Sequence, residues 1–406
     1  MMRGWYLSLI PRKIASTLFS TLLPLYIVYT LGRSTVDIGM VTASIGLAHI
    51  PGSIIWGYLA DRTRRCRFIV ISTLTIQSIL ILLLTKASGI LDILFLSIPI
   101  GFFGSALPPV EDILIAEGSS RYRWSDEARS YGFVSEIGDL SGIAIGALLL
   151  AFYEHRLLLH LCGLLILSSA IASLIFVEDP IFMVERKFVR LERCIEWAGR
   201  LTAILEYQDE YGEHISELTL LRAKIDTSRR AIYFGSGTLA FTMATDLIFT
   251  FISIYLCQKL LIPQSIVFVI VLLNEVGSIA GYLWFKEVFD TYGSYISLKL
   301  SAFIRAILVF TFIPCSYLPY VAASIFDTVI LTMLGIFYTL FALSSRTIRM
   351  EIIPEGWVGL YACITKIGSI IGMAVGGLII AQYGFNYLFM TAGILFIVSC
   401  ILFHFS

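Results

Sequence analysis

Apolar positions in this chain run in unbroken stretches of about twenty residues, separated by short polar turns. By eye they predict about twelve helices: 14–32, 35–60, 68–86, 90–117, 129–152 and 157–177, then 231–256, 264–285, 295–313, 320–345, 357–382 and 385–404. A hydrocarbon layer about 30 Å thick takes roughly 20 helical residues to cross. No backbone N–H or C=O can stay unpaired in lipid, so such stretches form helices rather than open strands. The expected fold class is an all-α polytopic membrane protein.

The stretches repeat. Residues 131–153, YGFVSEIGDLSGIAIGALLLAFY, align with 361–383, YACITKIGSIIGMAVGGLIIAQY, at an offset of 230. Gly138, Gly142 and Gly146 fall on Gly368, Gly372 and Gly376. A second echo, Gly57-Tyr58-Leu59 against Gly281-Tyr282-Leu283, has an offset of 224. Two similar offsets predict two homologous six-helix halves, 1–177 and 231–406, joined by a polar segment, 178–230. Glycines spaced by four make a smooth stripe on which another helix can pack closely or slide. A transporter of two parallel repeats holds its solute site between the halves, near the bilayer midplane.

Composition agrees with the pattern: 58% of residues are hydrophobic, 14% are charged, and mean hydropathy is +0.87, outside the range of ordinary soluble domains. The zero formal net charge conceals sorting. Arg33, Lys86, Arg156 and Lys259 fall on one side of the predicted layout. The other side holds Arg3, Arg12, Lys13, Arg62, Arg64, Arg65, Arg67, Arg121, Arg123, Arg129, Lys286, Arg346 and Arg349, with the whole central segment. Basic loops stay cytoplasmic, so both termini are expected there, in a multi-pass protein of the cell membrane. The first apolar stretch has no A-x-A cleavage site and reads as a retained helix. Within 178–230, charged Glu185, Arg186, Arg190, Arg193 and Glu196 interleave with Leu191, Cys194, Ile195 and Leu201. That spacing suits an amphipathic helix on the membrane surface or a solvated linker helix.

Several chemistries find no support. The seven cysteines (66, 162, 194, 257, 315, 363, 400) have no C-x-x-C spacing, and the five histidines have no metal spacing. No phosphate-binding glycine loop, nucleophile–base constellation or basic nucleic-acid module is present. The expectation is therefore no cofactor, no metal, no nucleic-acid partner and no enzyme activity.

The turn at 57–67, GYLADRTRRCR, gives the sharpest sequence signal. With the two halves and the basic central segment, it resembles the major facilitator superfamily, whose loop between the second and third helices runs Gly-x-Leu-Ala-Asp-Arg-x-Gly-Arg-Lys/Arg. Gly57, Leu59, Ala60, Asp61, Arg62 and Arg65 match, Arg64 replaces the glycine, and Cys66 replaces the last basic residue, with Arg67 just after. The resemblance covers essentially the whole chain. It implies a gating role for this loop, with Asp61 capping the helix that begins near Gly356 and Trp357. A carboxylate is stabilised at such a helix N-terminus. Proton-coupled drug antiporters of the superfamily carry an arginine in the fourth span and Gly-Pro at the end of the glycine stripe. Here 90–117 has no arginine, and Ala147 follows Gly146.

Charges inside spans cost roughly 2.5–3.5 kcal/mol each by insertion scales unless paired or hydrated. They are His49, Glu111, Asp112, Glu136, Asp139, Asp246, Glu275, Arg305, Asp327 and Lys366. The resemblance implies that the first, fourth, seventh and tenth spans line the central cavity, which favours Glu111, Asp112, Asp246 and Asp327 for substrate or proton contact. Glu275 lies deep enough to need a partner or a proton. Arg305 and Asp327 sit at similar depth and predict an ion pair across their hairpin; Glu111 and Lys366 form a candidate inner-gate pair. The expected function is alternating-access transport of a small organic solute, coupled to protons, by a monomer in the lipid bilayer. An uncoupled facilitator and a non-transporting sensor or assembly factor on the same scaffold are the alternatives.

Overall fold

A computed structural model of the chain describes residues 4–63, 65–118, 124–179, 217–352 and 358–405. The described residues form helices throughout: α1 Gly4–Leu25, α2 Thr35–Thr63, α3 Cys66–Leu84, α4 Ile90–Gly104, α5 Leu107–Gly118, α6 Trp124–Leu149 and α7 His155–Phe176. After the central segment come α8 Glu217–Phe249, α9 Ile252–Gln258, α10 Gln264–Cys315, α11 Tyr320–Ile352, α12 Val358–Tyr383 and α13 Phe385–His404. Among them, eleven segments are long and apolar enough to cross a membrane. α1, diluted by Arg12 and Lys13, makes a twelfth crossing when extended by the π-turn Tyr26–Thr30. The amphipathic helix expected within 178–230 falls largely on 180–216, outside the described residues.

Local chemistry sets the breaks. Pro24 offers no N–H to the preceding turn, and the helix widens into the π-turn just after it. Ser34 and Asp37 cap α2 reciprocally: the Ser34 N–H donates to the Asp37 carboxylate at 3.0 Å, and the Asp37 N–H to the Ser34 hydroxyl at 3.3 Å. Gly293 takes φ 74°, which divides α10 into two crossings, and Gly384 takes φ 85° in the turn between α12 and α13. Two starts differ from expectation. α1 is helical from Gly4 rather than 14, because Trp5, Tyr6 and Leu9 are themselves apolar and buried, and α8 is helical from Glu217 rather than 231, its polar first turns running into the apolar part further on.

Helices before 178 pack chiefly on one another: α1 on α6 and α7, α3 on α7 and α4, α2 on α4. After 217, α8 packs on α12 and α13, and α10 on α11 and α13. Two large interfaces join the groups, α2 with α12 and α6 with α10, with a smaller contact of α1 on α9. The glycine stripes serve close packing within each group. A Cβ on Gly142 would stand 2.4 Å from the Ile14 carbonyl of α1, and one on Gly372 the same distance from the Met243 carbonyl of α8. Gly142→Val and Gly372→Val are expected to lower the thermal midpoint of the purified protein, since overpacking typically costs about 1–3 kcal/mol. An unchanged midpoint in both would mean that the stripes tolerate side chains.

Contacts between the groups gather toward the face opposite the termini. The Thr35 hydroxyl donates to the Gly377 carbonyl at 3.4 Å, and a Cβ on Gly146 would meet the Phe268 ring. Tyr29 contacts Cys257 there, and His155 contacts Gln264. That face is closed by direct contact of the two groups.

Candidate functional site

A cavity of about 490 Å³ lies between the two groups of helices. α1 supplies Arg12, Ser16, Thr17, Phe19 and Ser20, α2 supplies Thr42 and His49, and α3 supplies Gln77. From the second group, α8 brings Asp246 and Phe249, α10 brings Glu275, and α12 brings Lys366 and Ser369. Most of the remaining wall is aliphatic, with isoleucines from several helices. An apolar cavity with a few convergent charged groups has the form of a small-molecule site.

The charges separate into two ends. At the basic end His49 lies in the field of both Arg12 and Lys366. Asp246 stands beside them, hydrogen-bonded by the Ser369 hydroxyl and in the field of both Lys366 and Arg305. At the acidic end Glu275 faces Glu136 and Asp139 of α6 across the interface between the groups. The Thr17 hydroxyl donates to Asp139, and Lys13 lies near both α6 carboxylates.

Of the acids favoured from sequence, Asp246 and Glu275 line the cavity, and the other three do not. Glu111 lies just behind the wall, 3.5 Å from the Arg12 guanidinium, which also donates to the Gly104 carbonyl at 3.4 Å. The expected Glu111–Lys366 pair is not formed in this state: Glu111 lies against Arg12, while Lys366 lines the cavity. Arg12 reaches Glu111 because α1 starts eight residues earlier than its Arg12, so the guanidinium sits within the helix bundle rather than in a loop. Asp112, the next residue along, is exposed.

The expected Arg305–Asp327 ion pair is also corrected. Asp327 is fully buried and accepts a hydrogen bond from the Tyr255 hydroxyl at 3.0 Å. Arg305, equally buried, lies among four aromatic rings: Phe241 and Phe396 at 5.0 Å, Tyr338 at 5.4 Å and Phe249 at 5.9 Å. It donates to the Thr245 hydroxyl at 3.4 Å. The two side chains leave their hairpin on different faces, Arg305 toward α8 and Asp327 toward α9, so similar depth does not bring them together. α11, the tenth crossing, contributes none of the cavity lining among the described residues.

In the 57–67 turn, Arg62 donates to the Tyr58 hydroxyl at 2.7 Å. The backbone N–H of Arg67, at the start of α3, donates to Asp179 at 2.7 Å, and the Arg67 side chain donates to the Leu174 carbonyl. Asp179 thus caps α3 from beyond α7, a contact no motif in the sequence announces. Gly57 and Leu59 lie on α2, Arg65 is exposed, and the Asp61 side chain and residues 353–357 lie outside the described residues.

The described helices form a bundle closed on one face around a charged central cavity. Residues 6–361 match the family model of the Major Facilitator Superfamily, and the chain belongs to that family. It is 28% identical over 174 residues to an uncharacterized MFS-type transporter, MJ1560, of Methanocaldococcus jannaschii, covering 41% of this chain and 45% of the relative. It is 29% identical over 178 residues to the multidrug resistance protein MdtG of Serratia proteamaculans, covering 43% of each. The match thus spans less than half the length of these curated relatives. Among solved structures the nucleoside transporter NupG superposes with a TM-score of 0.73 at 16% identity, covering 99% of this chain and 96% of NupG. A D-xylose–proton symporter superposes with a TM-score of 0.69 at 12% identity, covering 98% and 95%. At these identities the likeness is one of fold.

Proposed function

We propose that this carrier couples movement of a small organic solute to movement of protons, with Asp246 and Glu275 as the titrating groups. The observation that carries the reading is their position: two carboxylates from α8 and α10 face one cavity of about 490 Å³ between the two groups of helices. A carboxylate held there is expensive while charged, and a proton or an incoming solute relieves it. Glu275 is the better proton carrier, because the groups acting on it are other carboxylates rather than cations. Asp246 sits beside Lys366, where a change in its charge alters the field on the solute.

The sorting of basic residues supports a cytoplasmic location for both termini in the cell membrane. The closed face is then external, and the two six-helix halves, 1–177 and 231–406, rock about the cavity as a monomer to open it. The 57–67 turn, with Gly57, Leu59, Asp61, Arg62 and Arg65, sits where it can latch the cytoplasmic face in the alternate state.

The test is proton movement in proteoliposomes supplied with pooled solutes, for the wild type, Asp246→Asn and Glu275→Gln. A solute-dependent pH change in the wild type, abolished in Glu275→Gln, is expected. Solute flux without proton movement would leave an uncoupled facilitator. Silence across a broad panel would favour a non-transporting sensor.

A further inference from the structure

The basic end of the cavity carries more positive charge than its neighbours neutralise. Arg12 is matched by Glu111 at 3.5 Å. Lys366 and Arg305 share a single carboxylate, Asp246, which is already engaged by the Ser369 hydroxyl. Lys366 is exposed to the cavity and makes no direct hydrogen bond or ion pair among the described residues. Behind it, Arg305 is fully buried, and its Nε and Nη1 find no acceptor. Aromatic faces stabilise a guanidinium but leave its charge in place. The His49 imidazole stands in the field of both Arg12 and Lys366. With Arg12 and Glu111 cancelling, Lys366 and Asp246 on the wall and Arg305 buried behind them leave one uncompensated positive charge at this end of the cavity, with Glu275 on the wall at the other end.

We infer that the solute is an organic monocarboxylate with an apolar body, whose carboxylate docks on Lys366 between His49 and Asp246, with Arg305 as the buried cation behind. The charge balance then closes at one carboxylate. The isoleucine-rich wall, with Phe19 and Phe249, takes the apolar body. This rests on the transport reading above and deepens it: with a proton on Glu275, a carboxylate and a proton move together as a neutral pair. The acidic end is the reason to distinguish a zwitterion experimentally, since Glu275, Glu136 and Asp139 would attract an ammonium if they remained charged.

The experiment measures the thermal midpoint of the purified full chain with ω-phenylalkanoates of increasing length, benzoate to 6-phenylhexanoate. Matched phenylalkylamines, phenylalkanols and 2-amino-ω-phenylalkanoates serve as comparisons. Stabilisation by the anions above all three comparison series is expected. The half-saturating concentration should rise at least tenfold in Lys366→Gln and return to within a few-fold of wild type in Lys366→Arg. Midpoints without probe report whether either variant is merely less stable. Stronger stabilisation by the amines or zwitterions, no shift with any anion, or an anion shift insensitive to Lys366→Gln would each overturn the inference. Binding is read without flux. Carboxylate binding with no proton-linked transport would therefore sink the coupling reading alone, and proton-linked transport of amines would sink this inference alone.

Discussion

Placing valine at Gly377 will open the face opposite the termini and reduce transport by about tenfold or more. Here α12 crosses α2 with backbones in contact: a Cβ on Gly377 would stand 2.5 Å from the Thr35 carbonyl, and one on Gly39 would stand 2.7 Å from the Met373 carbonyl. Carbonyl oxygens of two packed helices cannot swing aside as a side chain can. The penalty, typically about 1–3 kcal/mol for overpacking, falls on the state in which the two halves touch. When this face opens, α2 and α12 separate and the added methyl groups meet nothing. A penalty borne by one state shifts the population toward the other, and about 1.4 kcal/mol is a factor of ten. Cys257 supplies a native reporter, since its thiol is buried against Tyr29 at this interface. In a protein whose other six cysteines are replaced by serine, Gly377→Val should speed alkylation of Cys257 by a maleimide about tenfold, and Gly39→Val should do the same. Gly372→Val is the contrast, because its clash lies inside one half and loosens the fold without favouring either state. Alkylation at the wild-type rate in Gly377→Val would mean that the two faces do not exchange through this interface.

The same contrast shows what the sequence could reveal. Helix count and class were legible because lipid fixes both the length and the polarity of a crossing. Which stripe neighbours which helix was not, since Gly142 packs inside a half and Gly377 between halves on the same kind of residue. Arg12 was hidden for a related reason. Pro11-Arg12-Lys13 reads as a flank before an apolar run, yet Trp5 and Tyr6 pack against Tyr131 and anchor three helical turns ahead of that run. Arg305 invited a search for an acid at equal depth, and the partner was a set of rings. Phe241, Tyr338 and Phe396 lie on α8, α11 and α13, and only tertiary packing gathers them. Asp246 and Glu275 were legible as charges deep within their apolar stretches. Their placement on opposite sides of the charge divide, one by Lys366 and one by Glu136 and Asp139, was not.

Glu111→Leu will be among the most destabilising single changes in this protein, and adding Arg12→Met will recover most of the loss. The Arg12 and Glu111 side chains are 11% and 9% exposed, and their 3.5 Å pair holds α1 against α5. Removing the carboxylate leaves a largely buried guanidinium whose remaining direct hydrogen-bond acceptor among the described residues is the Gly104 carbonyl. An uncompensated buried charge of this kind costs on the order of 3 kcal/mol. Replacing both partners with apolar side chains of similar size removes the uncompensated charge as well, and such exchanges are often nearly neutral. The loss in Glu111→Leu and the loss in Arg12→Met should therefore sum to far more than the loss in the double variant. That non-additivity is the signature of a direct pair. Thermal midpoints of the four proteins in detergent give the cycle. If the double variant is as unstable as the sum of the singles, the two side chains act independently and the pair does not hold α1 in place. If Glu111→Leu instead couples to Lys366→Met and not to Arg12→Met, the inner-gate pairing of Glu111 with Lys366 regains its standing. The state of the purified protein would then be one in which α12 has swung toward α5.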